Sequence, residues 1–394
     1  MDKLIIMSTI CLNMIVKNES KTLPVLLETI KDVVDYYVIV DTGSEDGTPE
    51  LIKQIMDGYG IAGEIFHEKW VNFGTNRDQA LQKAIGKADY AFIIDADEEF
   101  NYTDPAWFKT IQKDCYYLKR LYGSVEYYLP GLINIRENNK CGWKWKGPVH
   151  NYLVAETCEN NYTKESVNID ILHIKSNIHG GAKSQGVTSE EKYLRDAKLL
   201  TEHLEKNPND TRTIFYLAQS YRDSGKHELA MKWYKKRIEL GGWPEEVYYS
   251  MYTYAICKGR TGKYDFETDL LHDFLKAWNY RKCRLEALFV IVNTYRLNGA
   301  YKRSLAYGML GLGIEKPDDL LFIQKDIHDY RFIDEVAISA YKCGHYEIAK
   351  KLGEKILREK KYPEKDEIRL KKNLQFSLDK LEEQKNAKKE IISV

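Results

Sequence analysis

The sequence predicts an α/β domain with a mostly parallel sheet, followed by an all-α solenoid of short helical repeats. Three observations carry that division. Over the first half, short apolar runs alternate with segments whose apolar residues recur at helical spacing, the pattern of a parallel sheet covered by helices. After about Ser189 the strand-like runs nearly vanish. In the second half Gly225, Gly262 and Gly299 stand 37 residues apart and Gly344 follows after 45, a period in the range of stacked helix pairs. The boundary is placed near residue 185, with an α/β domain over 1–185 and a helical-repeat domain over 186–394.

Each element follows from local pattern. Residues 10–16 read as the first strand and 23–34 as a helix by their apolar spacing. Residues 37–40 form the second strand, closed by the turn DTGSEDGT at 41–48. Pro49 sits at a helix start, where its missing N–H costs nothing, and 50–56 continue that helix. A short strand near 64–67 and a helix over 76–85 come next. The fourth strand, 90–94, ends abruptly in Asp95, Ala96, Asp97, Glu98 and Glu99.

Polar residues gather at the strand ends. Asn18 and Glu19 follow strand one, Asp41 with Ser44 and Asp46 follows strand two, and Asp95 with Asp97 follows strand four. In an open α/β sheet three such turns converge on one edge and make a pocket. Crowded carboxylates repel one another, and a hard divalent cation or full solvation relieves that repulsion. Two aspartates one residue apart can therefore offer oxygens to Mg2+ or Mn2+, although a DxD alone reads equally as an acidic turn. The DTGSEDGT turn can hold a nucleoside through a carboxylate that accepts from base or ribose, or it can simply cap its helix. Neither GxGxxG nor GxxxxGK[ST] occurs, which removes the dinucleotide fingerprint and the P-loop.

Composition narrows the class further. Lysine plus arginine (59) equal aspartate plus glutamate (59), so the chain has no charge excess to bind nucleic acid or an anionic membrane. No apolar run approaches the roughly 20 residues of a membrane span, and the N-terminus reads as a strand rather than a signal peptide. The seven cysteines are scattered without CxxC spacing, as expected of free thiols in a cytoplasmic, reducing setting; a Cys141 to Cys158 bridge is the alternative.

Five segments in order, CLNMIVKNE, VIVDTGSEDGT, NFGTNRDQAL, ADYAFIIDADEEF and WKWKGPVHNYL, resemble the ordered motifs of family 2 glycosyltransferases with the GT-A fold. The resemblance spans about positions 8–155. It implies a nucleoside diphosphate sugar donor, UDP-linked by family tendency, a glycan or protein hydroxyl as acceptor, and Mn2+ or Mg2+. It implies Asn18, Glu19 and Asp41 at the nucleoside, Arg77 near the diphosphate, Asp95 and Asp97 at the metal, and His150 at the metal or diphosphate from the opposite wall. An inverting member also needs a base for the acceptor hydroxyl. Glu98 and Glu99, beside the metal ligands, are the candidates. Where the family often carries an acid after the histidine, this chain has Asn151. That departure keeps a second reading open, a non-catalytic scaffold with a degenerate nucleotide-sugar-binding domain.

Other residues are read on their own terms. Trp143 and Trp145 alternate, so on a strand both face one side, either as a platform for sugar C–H faces or as core. His173 reads as a core histidine. His179, in a glycine-rich stretch, marks a lid or a linker.

In the second half Ala218, Ala255, Val292 and Ala337 lie seven residues before the recurring glycines, and Ala230, Glu267, Ser304 and Ala349 stand near five after. Small residues flanking a turn glycine are what close helix pairs need, and the pattern resembles degenerate tetratricopeptide repeats. Residues 215–234 are the clearest copy and the one with Glu267 the poorest. Such a solenoid offers a surface for a peptide, an acceptor protein or a second copy of the chain as a homodimer. Residues 364–389 read as an amphipathic capping helix.

Overall fold

The structure is a computed structural model that describes residues 7–123, 125–158, 161–176 and 188–392. His179 and the glycine-rich stretch around it lie outside these residues. The chain divides into two compact units, Met1–Leu229 and Ala230–Val394.

In the first unit strands β1 (Ile10–Val16), β2 (Tyr36–Asp41), β3 (Ala62–His67) and β4 (Tyr90–Ile93) run parallel in the order β3-β2-β1-β4. Helices α1 (Leu23–Ile30), α2 (Thr48–Gly58) and α3 (Phe73–Ala84) connect them. Helix α1 ends before residue 34. A turn at 30–34, with Val33 and Val34 N–H groups on Ile30 O, buries both valines without continuing the helix. Apolarity there marks burial and not helical length.

Antiparallel strands fill the region between Phe100 and Trp143, for which the sequence reading assigns no element. After β5 (Glu98–Tyr102) come β6 (Cys115–Tyr122) and β7 (Val125–Asn134). They extend the sheet as β4-β7-β6-β11-β5, with β11 (Leu172–Ser176) between β6 and β5 and β10 (Lys164–Ser166) beside β6. Strands β8 (Trp143–Lys146) and β9 (Tyr152–Ala155) form a separate hairpin. All seven cysteines are free, Cys141 and Cys158 included.

Two apolar layers sandwich the parallel strands. Leu12, Tyr37, Ile39 and Phe92 pack with Leu23, Leu27, Ile52 and Met56 of α1 and α2. On the other face Cys11, Val38, Ala91 and Ile93 pack with Leu81 and Ala84 of α3 and with Trp143 and Ala155 of the hairpin. Each fully buried side chain of this size contributes about 1.5–3 kcal/mol. The buried Asn13 amide ties the layers together, donating to Val38 O (3.2 Å) and Ala80 O (2.9 Å). His173 on β11 is half-buried, with Nδ1 3.4 Å from Ile169 O. Helices α4 (Ser189–Lys206) and α5 (Thr211–Asp223) pack on each other within this unit.

The chain continues in α6 (His227–Leu240), α7 (Pro244–Arg260), α8 (Leu271–Tyr280), α9 (Glu286–Leu297), α10 (Tyr301–Gly311), α11 (Phe332–Lys342), α12 (Tyr346–Glu359) and α13 (Glu367–Ile392). Gly225, Gly262, Gly299 and Gly344 each turn between consecutive helices with φ of 75°, 69°, 73° and 80°, values that other residues adopt only at a cost. Ala218, Ala230, Ala255, Val292, Ser304, Ala337 and Ala349 are all buried, and Ser304 Oγ meets Ser339 Oγ at 2.8 Å where α10 crosses α11. In the poorest copy an extra turn, Phe266–Leu270, precedes α8. It shifts the register, and Leu270 is buried while Glu267 bonds outward to Tyr295 and Arg303.

Among the described residues no helix is long and apolar enough to cross a membrane.

Candidate active site

The C-terminal ends of β2, β1 and β4, three adjacent parallel strands, present the polar turns on one edge. Strand order reverses between β1 and β4, and such switch points are where open sheets leave a crevice. The first two turns are laced together by hydrogen bonds. Ser44 Oγ accepts from Asn18 N (2.9 Å), Asn18 Oδ1 from Glu45 N (2.8 Å), Thr48 Oγ1 from Glu19 N (2.9 Å) and Asp46 Oδ2 from Ser20 N (3.0 Å). Asn18 has φ 55°. Glu19 Oε2 accepts from Thr22 Oγ1 at 2.6 Å.

Asp41 anchors this lacing from the end of β2. Its buried carboxylate accepts from Gly43 N (3.1 Å) and Ser44 N (3.1 and 3.2 Å) and lies 3.3 Å from His67 Nδ1. Burial pushes the carboxyl up, but the bonds from Ser44, Gly43 and His67 outweigh it and hold the group below its usual range. Asp46 follows the same logic: desolvation is opposed by bonds from Thr48 and Ser20, and the carboxyl falls to about 2. Both acids therefore stay ionised at neutral pH while they hold the turns through these bonds.

Past β4 the turn Asp95–Ala96–Asp97–Glu98 closes with Glu98 N on Asp95 O (3.1 Å), while Asp95 N donates to Glu98 Oε2 (3.1 Å). Glu98 is buried, and its Oε1 accepts from Arg120 Nε at 3.0 Å. Arg120 also reaches Ile93 O (3.4 Å), so the pair pins the turn to the sheet. Asp95 itself meets the Arg77 guanidinium of α3. Burial raises its carboxyl, Arg77 and then Arg120 lower it, and the net direction is down. Arg77 in turn lies over the Trp145 ring at 5.2 Å. Beneath them a crevice lined by Asn13, Ile15, Ala80, Ile94 and Trp145 holds only about 10 Å3, room for one water-sized group. Asp97 is half-buried and Glu99 exposed in the same segment.

The two tryptophans part company. Trp143 is a core residue: its Nε1 donates to Asn134 O (2.9 Å) and its ring packs edge-on against Tyr162 (4.9 Å, 71°). That corrects the expectation that it lines an acceptor site, because no face is left for a sugar. Trp145 is half-buried and carries Arg77 instead.

His150 is reached through Gly147, whose carbonyl lies against Gly74 of α3, the helix that carries Arg77. It follows β8 in a left-handed conformation (φ 48°) and stacks on Tyr216 of α5, centroids 4.2 Å apart and planes 7° from parallel. The residue is exposed overall, with one face of its ring covered by Tyr216. Desolvation, and then Arg212, push its pKa down to about 4, which leaves the imidazole neutral at physiological pH. Among the described residues no three His, Cys, Asp or Glu side chains meet as a metal-binding group, so Asp95, Asp97 and His150 do not form one preassembled ligand set.

Three features lay beyond the sequence reading: the Arg120–Glu98 anchor, and Arg212 and Tyr216 beside His150. Arg120 sits in a strand without a turn or motif to mark it. Tyr216 and Arg212 lie in or beside the clearest repeat copy, where their spacing resembles ordinary helix packing.

Residues 11–125 match the family described as Glycosyl transferase family 2. Over 241 residues the chain is 26% identical to the SPbeta prophage-derived glycosyltransferase SunS of Bacillus subtilis, covering 58% of this chain and 53% of that protein. Over 94 residues it is 36% identical to a TPR repeat-containing protein of Synechococcus elongatus, covering 24% of this chain and 21% of that one. The chain thus spans between about a fifth and a half of the length of these curated relatives. Among solved structures, S. aureus TarS 1-349 in complex with UDP-GlcNAc aligns over 65% of this chain and 88% of its own, with TM-score 0.34 and 13% identity. The MamA protein aligns over 43% of this chain and 82% of its own, with TM-score 0.33 and 16% identity.

Proposed function

We propose, for a chain that carries a family 2 glycosyltransferase domain ahead of tetratricopeptide-like repeats, that it moves a sugar from a nucleoside diphosphate sugar, with uridine as the nucleoside, to a hydroxyl of a glycan or protein. The observation that carries this reading is the gathering of Asn18, Glu19, Asp41 and Asp95 at the ends of three adjacent parallel strands, with Arg77 of α3 paired to Asp95. The functional division is drawn near residue 185, with the repeats over 186–394 presenting the acceptor or a second copy of the chain.

In the reaction the acceptor oxygen bonds to the anomeric carbon as the bond from that carbon to the diphosphate oxygen breaks. The electron pair leaves with the diphosphate, the hydroxyl proton passes to a base, and attack from the opposite face inverts the centre. Asp41, rigid and ionised, accepts from the uracil N3–H or the ribose. Arg77, lying over the Trp145 ring at 5.2 Å, offers its fork of donors to the diphosphate, where charge accumulates. Asp95 and Asp97 are two hard oxygen donors on one turn, and Arg77 keeps Asp95 ionised. They fit Mn2+ or Mg2+, an ion that would be held there by these two carboxylates together with the donor. Bound there, the ion would stabilise the departing charge as a Lewis acid. Glu98 is assigned to holding the turn, because its carboxylate is buried against Arg120. Glu99, exposed on β5, is then the base.

A screen of UDP, GDP and TDP sugars with Mn2+, reading nucleoside diphosphate release, tests this. Release from a UDP sugar that EDTA abolishes is the expected result. No release and no nucleotide binding with any donor would favour the scaffold reading, to which Asn151 after His150 points.

A further inference from the structure

The helix α5 carries a stripe that helical packing alone does not require. Arg212, Tyr216, Gln219 and Asp223 recur at i, i+4, i+7 and i+11, one face of a helix. Ile214, Phe215, Leu217 and Ala218, all fully buried, supply its packing. Tyr216 from the stripe stacks on His150, and Arg212 lies over Tyr152 (4.9 Å) and Tyr216 (5.0 Å) while its Nη2 donates to the Tyr216 hydroxyl (3.3 Å). Asp210 fixes the start of the helix, accepting from Arg212 N and Thr213 N at 3.1 Å each.

The segment that delivers His150 is clamped at both ends. At its start, a Cβ on Gly74 of α3 would lie 2.2 Å from Gly147 O, so the backbone there rests directly on the helix that carries Arg77. At its far end, three residues on, His150 rests on α5. At the second contact His150 itself has φ 48°, a left-handed conformation that costs energy in a non-glycine residue and that gathers at functional sites.

We infer that Tyr216 and Arg212 of α5 are positioning residues of the sugar-transfer site, holding the His150 ring in one plane against the donor. The inference rests on the glycosyltransferase reading above. It makes the first helical hairpin after residue 188 a wall of the active site, which moves the functional division drawn near residue 185 past α5, as the first compact unit, Met1–Leu229, already includes that helix. Arg212 acts at one remove, by fixing the Tyr216 ring on which the imidazole lies.

The test is a double-mutant cycle in the full-length chain, reading UDP release from the UDP sugar that the wild type turns over. Tyr216→Ala is expected to lower kcat by about tenfold or more, with the donor KM changed by less than about threefold, since a misplaced group costs rate more than binding. Tyr216→Phe keeps the stacked ring and should restore most of that rate. In a His150→Ala background Tyr216→Ala should have no further effect, because both changes remove one interaction. Equal losses in both backgrounds, no rescue by phenylalanine, or an unchanged rate in Tyr216→Ala would overturn the inference while leaving the enzyme reading intact. A wild type that turns over no sugar nucleotide would overturn that reading, and this one with it.

Discussion

At the sheet edge of the first unit, Arg77 meets Asp95 while about half of that carboxylate stays open to water (48% exposed). In the second unit Arg284 meets Glu286 with both side chains sealed from it (0% and 1%). Arg284 also donates to Asp319 Oδ2 (3.2 Å), Leu321 O (3.0 Å) and Phe322 O (2.9 Å) and lies over the Tyr248 ring. Glu286 accepts in addition from Tyr248 and from Gln324 N. Arg237 and Glu246 form a second sealed pair. The residue types are the same and the consequences opposite. A sealed pair whose donors and acceptors are all spent can only hold helices together. An open pair with one carboxylate face in water can exchange its partner for a ligand. Exposure, more than the presence of an ion pair, separates a candidate site from a structural staple.

The largest expected effect lies on the sealed side. Arg284→Ala leaves Glu286 buried without its counter-charge and should cost about 3–5 kcal/mol of stability, read by urea denaturation, with UDP affinity unchanged. Ala230→Phe comes next. Ala230 is fully buried, and overpacking there should cost about 1–3 kcal/mol, seen as a lower Tm, with donor hydrolysis retained in the folded protein. At the sheet edge, where the Asp41 carboxylate is itself buried (4% exposed), Asp41→Ala should weaken UDP binding by about 1–3 kcal/mol in a calorimetric titration. Unchanged affinity would mean that its bonds to Gly43 and Ser44 serve the turn alone. The smallest effect is a pH dependence. The Asp46 carboxyl sits at about 2 when folded against about 3.9 unfolded. Its contribution to stability is therefore present above pH ~4 and lost as pH falls toward 2. Asp46→Asn should flatten the acid limb of a Tm-versus-pH curve in that window, with its Tm deficit greatest at neutral pH and vanishing as pH falls toward 2.

The parallel strands and the turns after them were legible because each apolar run ends in residues that cannot continue it: Asn18 and Glu19, Asp41, Asp95. The repeat was legible through Gly225, Gly262, Gly299 and Gly344, since a left-handed turn leaves a glycine behind at a fixed period. Strands β6 and β7 were not, because their tyrosines and the charged Lys119, Arg120 and Glu126 interrupt the apolar run that marks a parallel strand. Trp143 and Trp145 alternate as read, but alternation says only that two side chains share a face. It does not say that one reaches the Asn134 carbonyl in the core and the other remains beside Arg77. The stack of His150 on Tyr216 joins residues 66 positions apart, and no local pattern announces such a contact. Glu98 read as a free acid for the same reason, its partner Arg120 lying in another strand.

The central claim, a metal-assisted nucleotide site at the open edge, meets its most direct test in one titration series. UDP is titrated calorimetrically into wild-type protein and Asp97→Asn, each with Mn2+ and with EDTA, with Tm measured alongside. The account predicts binding by the wild type in Mn2+, its loss in EDTA, and the same loss in Asp97→Asn at a Tm within about 2 °C of wild type, an interval worth about 1–2 kcal/mol for a chain of this size. Affinity that is undiminished in EDTA, or undiminished in Asp97→Asn, would contradict it.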